Sequence, residues 1–109
     1  MSSCRSLMLA LVTLTTMMAV MRAHASSPEA WAAHKAEVAA KCKQASGLKN
    51  PRLVGQLVEY DDSVGFTAAL IVGVYPQPHM RQQPGRSLCL FDRRNRTAQA
   101  APADSLKQP

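Results

Sequence analysis

The sequence predicts an α+β domain: an N-terminal helix packed across a three- to four-stranded antiparallel β-meander and fastened to one strand by a disulfide. Three observations carry this expectation. Apolar residues recur at helical spacing up to Ser46, and at a spacing of two from Arg52 onward. Runs rich in Asp, Ser, Asn, Pro and Gly punctuate the second part at 61–65, 76–85 and 93–96. Beyond the N-terminal segment only two cysteines remain, Cys42 and Cys89.

The N-terminal segment is set aside first. Arg5 precedes an apolar run over 7–21, and Ala23-His24-Ala25 places small residues where a signal peptidase requires them. The run is shorter than the roughly 20 residues of a membrane span and is diluted by Thr13, Thr15 and Thr16, so a secretory signal over 1–25 is preferred to an uncleaved anchor. Cleavage is expected between Ala25 and Ser26, with export to a periplasm in preference to release from the cell. A single domain over 26–102 and a flexible tail over 103–109 follow. The mature chain keeps 84 of the 109 residues and carries 11 Lys or Arg against seven Asp or Glu, a net charge of +4. Such a balance favours anionic partners but mainly serves solubility.

Two cysteines in a compartment where thiols oxidise are expected to pair. A reactive thiol pair or a metal site finds no support, since neither cysteine has a C-x-x-C neighbour or an adjacent His.

Ser26 and Ser27 are capping residues, Pro28 suits a first helical turn, and Glu29 sits where the helix dipole favours negative charge. At 100° per residue Trp31, Val38, Cys42 and Ala45 share one sector, with Trp31 expected as the buried anchor. Gly47 ends the helix in the left-handed conformation and Asn50-Pro51 prevents its continuation. Leu53, Val54, Leu57, Val58 and Tyr60 then form a strand interrupted by Gly55. Residues 61–65 turn the chain, and Phe66 begins a strand with two apolar faces: Phe66, Ala68, Leu70, Val72 and Val74 on one, Thr67, Ala69, Ile71, Gly73 and Tyr75 on the other. Such a strand belongs in the centre of a sheet; the helix covers one face, and the other is left for a partner or for solvent. Leu70 is assigned to the core with Trp31, Cys42, Cys89 and Phe91, and the small residues Ala69 and Gly73 to a face that something approaches closely.

Residues 76–85 read as a polar, proline-stiffened connection unable to pair as a strand, either a linker or a recognition arm centred on Pro78, His79 and Met80. Ser87, Cys89 and Phe91 face the helix from the next strand, which places Phe91 near Trp31 or Val38. Arg93, Arg94 and Arg96 lie in a turn where Asn95 is expected to take positive φ, before a weak edge strand over 97–100. As projecting charges they either protect an edge hairpin from aggregation or contact phosphate or carboxylate groups of a partner. Asn95-Arg96-Thr97 matches an N-glycosylation triplet, a pattern that arises often by chance. In outline the arrangement resembles helix-on-meander domains of small exported bacterial proteins, among them cystatin-like and inhibitor-type modules; the likeness is one of arrangement and implies no activity.

No cofactor motif or catalytic set emerges. Nucleic acid is not an expected partner, because the five aromatics Trp31, Tyr60, Phe66, Tyr75 and Phe91 sit within apolar runs. The mature chain offers no transmembrane span. The functional expectation is an exported, non-enzymatic binding or inhibitor-like module for an anionic macromolecule or an envelope protein. Its alternative is a small envelope hydrolase or metal-handling protein using His34 and His79, for which the sequence supplies no nucleophile, base and orienting group together.

Overall fold

The computed structural model describes residues 27–106, so the expected signal segment over 1–25, the expected cleavage site at Ala25 and Ser26, and the last three residues lie outside the described residues. One helix, α1 (Pro28–Ser46), is followed by strands β1 (Lys49–Glu59), β2 (Phe66–Val74), β3 (Pro84–Asp92) and β4 (Thr97–Pro102). The strands pair antiparallel in chain order, β1-β2-β3-β4, in one sheet. The expected helix on a meander is thus the observed fold, with the fourth strand formed.

The helix ends where its sequence marks it. Ser27 Oγ accepts the Ala30 N–H at 3.1 Å, and Gly47 takes φ 66° at the other end. Leu48 then folds back over the sheet. A Cβ on Gly73 would lie 2.9 Å from Leu48 Cβ, and one on Gly85 2.8 Å from Leu48 Cδ2, so two glycines make room for this side chain.

The Cys42–Cys89 disulfide joins α1 to the central strand β3, with the two Cα atoms 5.7 Å apart. Around it Val38, Ala69, Ile71 and Phe91 are at most 2% exposed, and Leu48, Leu53, Leu57, Ala98 and Ala100 pack at the margin. Cys89 pairs across the sheet with Ala69 on one side and Ala100 on the other. Because the disulfide fixes which side of β3 meets the helix, the parity of the pairing carries that choice to every strand. The Ala69–Ile71 face of β2 is therefore the covered one. The close approach that its small residues permit is made at Ala69 by Val38 and Cys42 of α1 and at Gly73 by Leu48 and Lys49 just beyond it, and Leu70, expected in the core, lies on the uncovered face.

Three further expectations are corrected. Trp31 is 45% exposed. His34, one turn on, takes the inward place, with its ring 5.9 Å from that of Phe91, and Trp31 leans on His34 at 5.7 Å. The connection after β2 is shorter than expected: Tyr75 N–H donates to Gln83 C=O at 3.0 Å, and Pro84 and Gly85 pair with Val74 and Gly73. Proline is tolerated there because it is the first residue of its strand. In the β3–β4 turn the positive φ falls on Arg96, at 57°, and not on Asn95. Asp92 accepts the N–H groups of Arg94 at 2.9 Å and Asn95 at 3.3 Å, which holds the turn's first residues right-handed and defers the reversal by one position. Just after β4, Ala103 is buried, with its N–H on Arg86 C=O at 2.8 Å, and Asp104 accepts the Arg86 N–H at 2.8 Å.

Candidate functional site

Among the described residues no α-helix or further strand lies over the second face of the sheet, and Leu106 borders it beside Leu88 and Leu90. The pairing register places its side chains in cross-strand rows. Val54, Leu70, Leu88 and Ala101 form one, Val58, Ala68, Leu90 and Gln99 the next, and Arg52, Val72 and Arg86 a third. Val54, Val58, Leu88 and Leu90 are 38%, 55%, 36% and 41% exposed. Singly such residues are ordinary, but here they adjoin one another on a rigid central sheet.

This face has polarity along the strands. At its Arg52 and Arg86 end an open cavity of about 830 Å³ is floored by Val72, Val74 and Pro84 and walled by Met80 from the Pro78–Met80 turn. Asp104 also lines it, with its carboxylate engaged by the Arg86 N–H and by the Tyr75 hydroxyl. That bond from Tyr75 raises the phenol's pKa above its ordinary value, since ionisation would remove the donated proton and then place two negative charges together. Beside this cavity a concavity of about 440 Å³ is lined by Leu88, Leu90, Ala101 and Leu106. Arg86 links the two, its Nη1 donating to the Leu106 carbonyl.

The helix side holds a polar cluster at the β1–β2 end. His34 Nε2 lies 2.9 Å from Glu59 Oε1 and 3.3 Å from Thr67 Oγ1, while Thr67 donates to Glu59 Oε2 at 2.7 Å. Both contacts of His34 use one nitrogen. In a nucleophile, base and orienter set the carboxylate holds the nitrogen opposite the nucleophile, so this is a closed hydrogen-bond ring and not that arrangement. His79 sits beyond the other end of β2. Thr67 beside His34 and Tyr75 near His79 are separated by eight strand residues, about 25 Å, so the two histidines are not brought together. Among the described residues no group of three His, Cys, Asp or Glu is placed to hold a metal ion.

The three arginines of the β3–β4 turn have different environments. Arg93 folds inward, with a side chain 21% exposed, and reaches Glu59 at 3.1 Å, Tyr60 C=O at 2.7 Å, Asp62 at 3.3 Å and Phe66 C=O. It ties the β3–β4 turn to the β1–β2 turn. Arg96 lies on the helix residue Glu37 at 2.6 Å, and this contact holds the Glu37 carboxyl below its usual pKa. Arg94 is exposed and approaches Asp62 C=O at 3.5 Å. Of the loop residues Pro78, His79 and Met80, the first two are exposed, and Met80 faces the Arg52–Arg86 cavity.

Sequence reasoning missed Arg52 and Arg86 as neighbours. Their alternation with Val54 and Leu88 was visible, but only the shared pairing to Val72 shows that they flank one position. No helix among the described residues is long and apolar enough to cross a membrane. No protein family, curated protein or solved structure matches this chain.

Proposed function

We propose that this chain is a small exported, non-enzymatic binding module that holds its ligand on the uncovered face of its sheet. The carrying observation is the apolar surface around Leu70, Leu88 and Leu90, on the two central strands, over which no α-helix or further strand lies among the described residues. Export is supported by the signal layout and is compatible with the disulfide. The arginine turn supports contact less well than its sequence suggested, because Arg93 and Arg96 are already paired within the fold.

Residue-specific photo-crosslinking tests the reading. A photoreactive amino acid in place of Val58 or Leu90 is expected to trap a ligand or partner in the native compartment, whereas one in place of exposed Lys35 on the helix traps none. Adducts only from the helix or the arginine turn, or turnover on envelope substrates, overturn it.

A further inference from the structure

Taking the uncovered sheet face as the binding surface, on which the following rests, we propose that its ligand is a single-chain anionic amphiphile. The carboxylate lies between Arg52 and Arg86, and the alkyl chain runs over Leu88 and Leu90 toward Leu106.

Size decides first between a protein and a smaller ligand. The apolar rows span four strands and about five residues along them, roughly 14 Å by 14 Å at ordinary strand spacing. With generous margins this is about 400 Å², half the roughly 800 Å² per partner of a stable protein interface. A second copy of the chain would leave much of its contact outside the patch. The 440 Å³ concavity beside Leu106, by contrast, admits one alkyl chain of dodecyl length.

Charge decides the headgroup. Arg52 and Arg86 both pair with Val72 from opposite sides, so their Cα atoms stand about 10 Å apart on one face. Two guanidinium stems cross that gap readily and can hold one carboxylate between them, a geometry suited to arginine's planar fork. Arg86 is already oriented by its bond to the Leu106 carbonyl, which uses one of its five donors and limits the ordering needed on binding. The cavity's own carboxylate, Asp104, is occupied by the Arg86 N–H and Tyr75. The polar and apolar concavities are neighbours, since Arg86 of the first is next to Leu88 of the second on the same face of β3 and donates to the carbonyl of Leu106 in the second. A head and a tail on one molecule match that order.

The test is calorimetric titration of the mature, oxidised protein with sodium dodecanoate kept below its micellar concentration. One saturable site is expected. Each buried methylene tightens binding about fourfold, so dodecanoate is expected to bind on the order of tenfold tighter than decanoate. Dodecyltrimethylammonium, with the same chain and the opposite charge, is expected to bind at least tenfold more weakly. Arg52→Gln, an exposed edge-strand change, lowers dodecanoate affinity toward that of the cation, and Leu90→Ser reduces the dependence on chain length. Equal affinity for both head charges, or an Arg52→Gln variant that binds dodecanoate unchanged, overturns the proposal. So does uptake only onto vesicles of anionic phospholipid, which would make the face a membrane-docking surface. If dodecanoate is ignored while Val58 still yields photo-adducts, the amphiphile falls and the binding face stands; silence in both experiments removes the face as well.

Discussion

Replacing Arg93 by alanine separates a structural arginine from its two neighbours in the same turn. The guanidinium donates to the carbonyls of Tyr60 and Phe66 and pairs with Glu59 from a side chain 21% exposed. Two hydrogen bonds of this kind contribute about 0.5–1.5 kcal/mol each, and a half-exposed ion pair adds up to about 1 kcal/mol. The fourth contact, with Asp62, is to a fully exposed side chain and is given no weight. Thr67 and His34 continue to satisfy Glu59 after the change, so no stranded buried charge enlarges the loss. Arg93→Ala should therefore cost about 2–3 kcal/mol, which in a domain of this size lowers Tm by roughly 10–20 °C. Arg94→Ala should stay within about 0.5 kcal/mol of the parent. Arg93→Lys should fall between, because a single ammonium cannot span two turns. Thermal unfolding followed by circular dichroism under oxidising conditions reads all three. Equal Tm values for Arg93→Ala and Arg94→Ala would refute the inward clamp.

Three other outcomes are expected. Peptide mapping without reductant should yield the Cys42–Cys89 pair, and replacing both by alanine should remove about 4 kcal/mol, the chain-entropy value for a closed loop of this length; a change under about 1 kcal/mol in urea unfolding would contradict it. Phe91→Ala should cost about 3–5 kcal/mol and Trp31→Ala under about 1 kcal/mol, and a reversed order of urea midpoints would mean that Trp31 and not His34 faces the sheet. Asp92, through the N–H groups of Arg94 and Asn95, and Glu37, through Arg96, have folded-state pKa values below their unfolded ones. Each therefore adds stability that is complete above the ordinary carboxylate range and is lost as pH falls through the depressed folded values. Amide protection at Arg94 and Asn95, taken relative to the intrinsic exchange rate, should fall on acidification below about pH 4, and Asp92→Asn should weaken that response; protection that stays constant across this range would remove the cap's role.

The element order and the turns were legible in the residues because they depend on local chemistry: a serine cap and a glycine stop for α1, and Asp-Asp-Ser before Gly65. The crosslink was legible because Cys42 and Cys89 are the two cysteines that follow the expected signal segment. Alternation also placed Ser87, Cys89 and Phe91 opposite Leu88 and Leu90 without any knowledge of neighbours. What alternation left open was β2, apolar on both sides, and the decision there was tertiary. The Cys42–Cys89 bond fixed the covered side of β3, the pairing of Ala69 with Cys89 passed that choice to β2, and Leu70 was left on the open face. Helical periodicity likewise grouped Trp31 with Val38 and Cys42 by angle alone. Which of those positions meets the sheet depends on where the strands lie beneath the helix, and that gave the inward place to His34. Register, a long-range property, brought Arg52 and Arg86 to either side of Val72 and turned Arg93 from a projecting charge into a tie between two turns.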